Sequence, residues 1–190
     1  SHHRWKGRKL SIQFSFVLYH KSIVSFECPL SNKTPTELTE ANLQLVTIEE
    51  IYLNDKKNYE INKFFYKQIG KDHFWRDRLV WTDKQWLKYS SNQLLENWVL
   101  KNNNNDLIGY YEIEKHENKE FELINMGILS DYRSKGYGSL LLTHVLKNSS
   151  DDNAKKVWVH TCSLDHKFAL ANYISKGFKV FKKEQIDFVA

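Results

Sequence analysis

Residues 120–146, EFELINMGILSDYRSKGYGSLLLTHVL, constrain the fold more than any other stretch of the chain. They read as a strand, a short loop and a helix with Leu141, Leu142 and Val145 on its inner face. The loop holds Arg133, Ser134, Lys135, Gly136, Tyr137 and Gly138. Two glycines two apart, preceded by basic residues and followed at once by a helix, suit a pyrophosphate. Loop amides and the helix N-terminus would both direct positive charge at it. A further strand at residues 157–162 follows the helix, and strand, helix and strand imply a right-handed crossover with parallel pairing.

The chain has 190 residues, enough for one domain with a real core. Residues 1–40 read as an N-terminal extension with one or two strands and a linker, and residues 41–190 as the main domain. Within 11–28, Ile12, Phe14, Phe16 and Leu18 alternate with a period of two, which is strand behaviour rather than that of a signal peptide. Pro29 closes this stretch, and the polar run 31–40 makes the linker. Leu43, Leu45 and Val46 offer a short strand. From Ile51 to Ile69 the spacing is helical, with Ile61, Phe64, Phe65 and Ile69 on one face and Gly70 as the stop.

Thr82 and Gln85 have capping-box spacing and start a second helix carrying Trp86 and Leu87. Three strands around Trp98–Leu100, 107–114 and 121–129 are joined by short polar turns, so an antiparallel meander is expected. After the crossover helix and strand, Asp165 would cap a last helix containing Ala169 and Tyr173, stopped by Gly177. A final strand fills 178–188. The fold class is therefore mixed α/β: one central mixed sheet, antiparallel in its N-terminal half and parallel in its C-terminal half, with about four flanking helices.

The net charge of +5 is modest, and Arg4, Lys6, Arg8 and Lys9 supply much of it, so a nucleic-acid partner is not compelled. Cys28 and Cys162 form no CxxC or metal-ligand spacing, which points to reduced thiols, no metal and a cytoplasmic location. No apolar run approaches the ~20 residues that span a bilayer, so no membrane partner is expected. His160 and Cys162 share a strand face, but no third orienting group accompanies them, and they read as lining or packing residues.

Three stretches together resemble the GNAT superfamily of N-acetyltransferases. Arg133-Ser-Lys-Gly136-Tyr-Gly138 resembles the family's Arg/Gln-x-x-Gly-x-Gly/Ala loop, Tyr173-Ile-Ser-Lys-Gly177-Phe178 its Tyr-x-x-x-Gly-Phe, and the strand at 122–129 the one that binds pantetheine. The resemblance implies acetyl-CoA as co-substrate, with its pyrophosphate on Arg133, Ser134, Lys135, Gly136, Tyr137, Gly138 and Ser139. The main chain of Met126 and Ile128 would hold the pantetheine arm, with a bulge near Gly127. His166 stands where many relatives have an asparagine that contacts the coenzyme. Tyr173 would protonate the departing thiolate.

Glu122 is the candidate general base. The strand pattern places it with Ile124 and Met126, where poor solvation would raise its pKa. Trp75, Arg76 and Trp81, in an aromatic and charged stretch, are candidates for the acceptor site, able to recognise a planar or carboxylate-bearing amine. The implied reaction is direct acetyl transfer to a primary amine of a small molecule or peptide. The alternatives are a catalytically inactive acyl-CoA-binding module and an aminoacyl-tRNA acetyltransferase. Only twelve residues follow Phe178, too few for the family's usual final pair of strands. One is expected to be missing, its place filled by residues 11–28 or by the partner chain of a homodimer.

Overall fold

The computed structural model describes residues 18–30, 49–162 and 167–189. Among the described residues seven strands form one sheet: β1 (Leu18–Pro29), β2 (Glu49–Leu53), β3 (Leu95–Asn102), β4 (Leu107–Lys115), β5 (Glu120–Ile128), β6 (Lys156–Cys162) and β7 (Lys179–Val189). The helices are α1 (Tyr59–Gly70), α2 (Asp83–Ser90), α3 (Tyr137–Asp151) and α4 (Lys167–Ser175). The spatial order is β2-β3-β4-β5-β6-β1-β7. Polar turns join β3, β4 and β5 into the antiparallel meander, and α3 carries the chain over to β6, which lies parallel to β5.

β1 enters between β6 and β7 and runs antiparallel to both. The described part of 11–28 is thus an inner strand of the sheet. The boundary placed at residue 40 and the strand at Leu43, Leu45 and Val46 lie outside the described residues, as do positions 11–17. One assignment changes. Ile51 does not begin a helix: residues 49–53 pair with β3 as an edge strand, and α1 starts only at Tyr59, after a turn at 54–58.

Directly opposed residues of neighbouring strands share a face. Tyr110, Glu112 and Gly127 face α1 and α2, where Phe65, Ile69, Val99 and Tyr110 form a small core. Tyr111, Ile113, Leu123 and Met126 face the larger core, in which Leu141, Leu142, Val145, Val157 and Phe178 are buried. Each fully buried aliphatic or phenylalanine side chain among them contributes about 1.5–3 kcal/mol through removal from water.

Between α2 and β4 lies a buried ion pair. Arg78 donates to both carboxylate oxygens of Glu112, at 2.9 and 3.1 Å, and Tyr89 Oη donates to the same group at 2.5 Å. The guanidinium also sits against the rings of Tyr89, Trp81, Tyr66 and Trp86, at 4.2, 5.1, 5.2 and 5.7 Å. Burial opposes the arginine's charge, but Glu112 together with Tyr89 and Tyr110 outweighs it and holds the pKa above its ordinary value. This pairing ties the segment that follows α1, including Trp75, to the middle of the sheet.

Candidate active site

β5 and β6 pair only over residues 120–123 and 156–159 and then diverge. A cleft of about 470 Å³ opens between them. Its walls are residues 124–128 of β5, Val159 and His160 of β6, the loop leading into α3, and Asn172 and Tyr173 of α4. His73 and Trp75 close it from the segment after α1. Met126, Gly127 and Ile128 stand along this wall.

The bulge, however, is not at Gly127. Glu112 opposes Asn125 and Ile113 opposes Leu123, so Ile124 is the extra residue. Gly127 is required for another reason: a Cβ there would lie 2.6 Å from the Ile69 methyl of α1. The helix can approach the sheet because that atom is missing.

The loop before α3 is shaped by two left-handed residues, Ser134 with φ 61° and Gly136 with φ 85°. Alternation of this kind turns successive amides toward one point, beside the N-terminus of a fifteen-residue helix. Ser134, Gly136, Tyr137, Gly138 and Ser139 all line the cleft. Arg133 also lines it, and its guanidinium bonds to the Ile128 carbonyl at 3.3 Å and to Asp72 at 3.1 Å. Lys135 lies over the Tyr132 ring, 5.7 Å from its centroid, and is not part of the lining. Tyr137 Oη donates to Glu49 at 3.0 Å, fixing the start of α3 against β2. His166 lies outside the described residues.

Tyr173 reaches the cleft wall while 6 % exposed, with Phe26 of β1 at 5.9 Å and Phe178 at 5.4 Å between ring centroids. The turn that ends α4 is held by Gly177 at φ 92° and by the Phe178 amide, which donates to the Tyr173 carbonyl. Glu122 is not brought to this place. It opposes Glu114 in the ladder and bonds to His116 at 3.0 Å, and His116 stacks on Trp158 at 5.5 Å. The bulge at Ile124 shifts the alternation, so Glu122 shares its face with Asn125 and Gly127 rather than with Met126. Glu114, His116 and Glu122 bring three potential metal-donor atoms within 4.8 Å of one another, but none of these residues lines the cleft.

Of the acceptor candidates, Trp75 lines the cleft. Arg76 stays exposed against the Phe74 ring at 5.4 Å, and Trp81 packs on Trp86 and Tyr89 at 4.9 and 5.3 Å, away from the lining. Four polar lining residues were not proposed from the sequence: His73, Asn125, Tyr132 and Asn172; His160, read as a lining or packing residue, also lines the cleft. Tyr132 and Asn172 adjoin the proposed Arg133 and Tyr173, so proximity could have found them. Asn125 could not be found that way, because the bulge decides its face.

A mixed sheet that splays beside an amide-rich loop and helix is the GNAT architecture. A family model for the acetyltransferase (GNAT) family matches residues 53–178, and the chain belongs to that family. Among solved structures, a GCN5-related N-acetyltransferase from Sphaerobacter thermophilus superposes with a TM-score of 0.65 at 14 % identity. The match covers 89 % of this chain and 51 % of that one. A conserved protein of unknown function from Staphylococcus epidermidis gives 0.60 at 18 % identity, covering 90 % of this chain and 62 % of that one. An acetyltransferase from Bacillus subtilis in complex with CoA gives 0.52 at 16 %, covering 70 % of this chain and 77 % of that one. At these identities the likeness is one of fold, and this chain spans only about half and three-fifths of the first two proteins. No curated protein sequence matches the chain. Among the described residues no helix is long and apolar enough to cross a membrane.

Proposed function

We propose that the protein is an acetyl-CoA-dependent N-acetyltransferase that moves an acetyl group directly to a primary amine of a small molecule or peptide. The observation that carries this is the divergence of β5 from β6 after Leu123 and Val159, with the loop 133–138 at one end of the opening and Tyr173 in its wall. Along residues 124–128 one edge of β5 is not used by β6, so its backbone groups can take an extended pantetheine arm as an added strand. The amides of Ser134, Gly136 and Gly138 and the start of α3 would hold the pyrophosphate. Family membership and the CoA complex of the Bacillus subtilis neighbour support this choice of co-substrate.

Within such a cleft the acceptor nitrogen bonds to the acetyl carbon as the carbon–sulfur bond breaks. The Tyr173 hydroxyl would return a proton to the sulfur. Trp75, at the end nearest α1, would contact the acceptor.

The test is titration of acetyl-CoA into the protein, followed by assay of free CoA thiol with spermidine, tryptamine, lysine and a peptide with a free N-terminus. Binding together with amine-dependent thiol release and an N-acetylated product by mass spectrometry is expected. Binding without release in any of these would instead support the inactive binding module, and absence of binding would overturn the reading altogether.

A further inference from the structure

We infer that His160 takes the proton of the acceptor amine at its Nε2, and that Ser25 of the N-terminal strand is the positioning residue that holds its ring. This rests on the acetyl-transfer reading above. An amine in water near neutral pH is an ammonium ion, so transfer needs a group in the cleft that can accept a proton. Glu122 is outside the lining and engaged by His116. His160 lines the cleft on β6, one residue beyond Val159, where the pairing with β5 ends. It therefore stands where the cleft opens.

The ring of His160 is fixed from two sides. Ser25 opposes it in the β1–β6 ladder, and the two side chains meet with Oγ 2.5 Å from Nδ1. Trp158 packs edge-on against the imidazole at 4.8 Å. Ser25 is 0 % exposed, so water does not compete for its hydroxyl. With Nδ1–H donating to Oγ, the lone pair lies on Nε2. After Nε2 takes a proton the same bond persists, and the ring need not turn between the two states. Phe26, the next residue of β1, packs on Tyr173. Two consecutive residues of one strand thus brace the group that takes a proton and the group that gives one.

The protons balance. One leaves the ammonium for Nε2 and passes from the exposed ring to solvent. A second leaves nitrogen for solvent as the carbon–nitrogen bond forms and the carbon–sulfur bond breaks, and Tyr173, having given its proton to sulfur, takes one back from solvent, so the net release is one proton.

The experiment uses the full chain and whichever amine of the four-member panel gives the fastest thiol release. His160→Gln should lower kcat about a hundredfold at neutral pH and remove the acidic limb of the kcat/KM profile, while acetyl-CoA binding stays within a few-fold. Ser25→Ala should lower kcat about tenfold and displace that limb, and Ser25→Thr, which keeps the hydroxyl, should restore it. Independently of turnover, two-bond ¹⁵N–¹H spectra should show His160 with its proton on Nδ1 in the wild type and lose that preference in Ser25→Ala. An Nε2–H tautomer in the wild type, or His160→Gln with wild-type turnover and an intact acidic limb, would overturn the inference while leaving the acetyl-transfer reading standing. No thiol release by the wild type with any amine would overturn both.

Discussion

Tyr173 is the residue whose surroundings say most about its work. A tyrosine 6 % exposed, with Phe26 and Phe178 packed on its ring, has little room to move. Tyr173→Phe keeps the ring and its packing, so its effect should fall on chemistry. Turnover should drop by about 10²-fold while acetyl-CoA affinity, measured by titration, changes no more than a few-fold. The contrasting case is Glu112, 0 % exposed and bonded to Arg78 and Tyr89. Replacing it with alanine leaves the guanidinium buried without its counter-charge, a loss of about 3–5 kcal/mol. Urea unfolding should show that loss as a lowered midpoint. Replacing Arg78 and Glu112 together by apolar residues should recover much of it, because no uncompensated charge remains.

At the level of elements, what could be seen in the sequence was what local spacing determines. The Thr82 hydroxyl accepts from the Gln85 amide and the Gln85 side chain accepts from the Thr82 amide, as the four-residue pattern predicts. Thr82→Ala should therefore cost about 1 kcal/mol, measurable as a shift in urea midpoint with an unchanged slope. The meander, the loop before α3 and the Gly177 stop were legible for the same reason. β2 was not: a five-residue edge strand with mixed burial shows no clean alternation, and its apolar residues merged with the helical spacing of α1. The bulge at Ile124 was hidden too, because it depends on how β4 and β5 count against each other. Strict alternation along the strand therefore points Glu122 at Met126, whereas the bulge sets it on the face of Asn125 and Gly127. The pairing of Ser25 with His160 spans 135 positions, and no local pattern encodes it.

Across the whole molecule the response to acid should be set in part by His144. Burial, with Lys147 adding to it, pushes its pKa down to about 4, and its Nδ1 lies 2.8 Å from the Tyr111 hydroxyl. The folded protein therefore keeps this ring neutral where the unfolded chain, near its ordinary value of about 6.5, binds a proton. Stability from this group is complete above about pH 6.5, falls as pH drops toward 4, and changes no further below that. The loss across the window is on the order of 3 kcal/mol. Urea midpoints taken from pH 7.5 to 4 should decline less steeply in His144→Asn than in the wild type.

The place of β1 has one more consequence. Leu18 opposes Val189 in the β1–β7 ladder, so the first and last residues of the described sheet are neighbours. A short hairpin loop of the Asn-Gly kind could join them, and the chain could be reopened between Leu30 and Glu49. Such a circular permutant, starting at β2 and ending with β1, would keep every strand pair and every cleft residue described above. Its near-ultraviolet circular dichroism and thiol release should match those of the parent, because the seven-stranded sheet does not depend on which of its strands is made first.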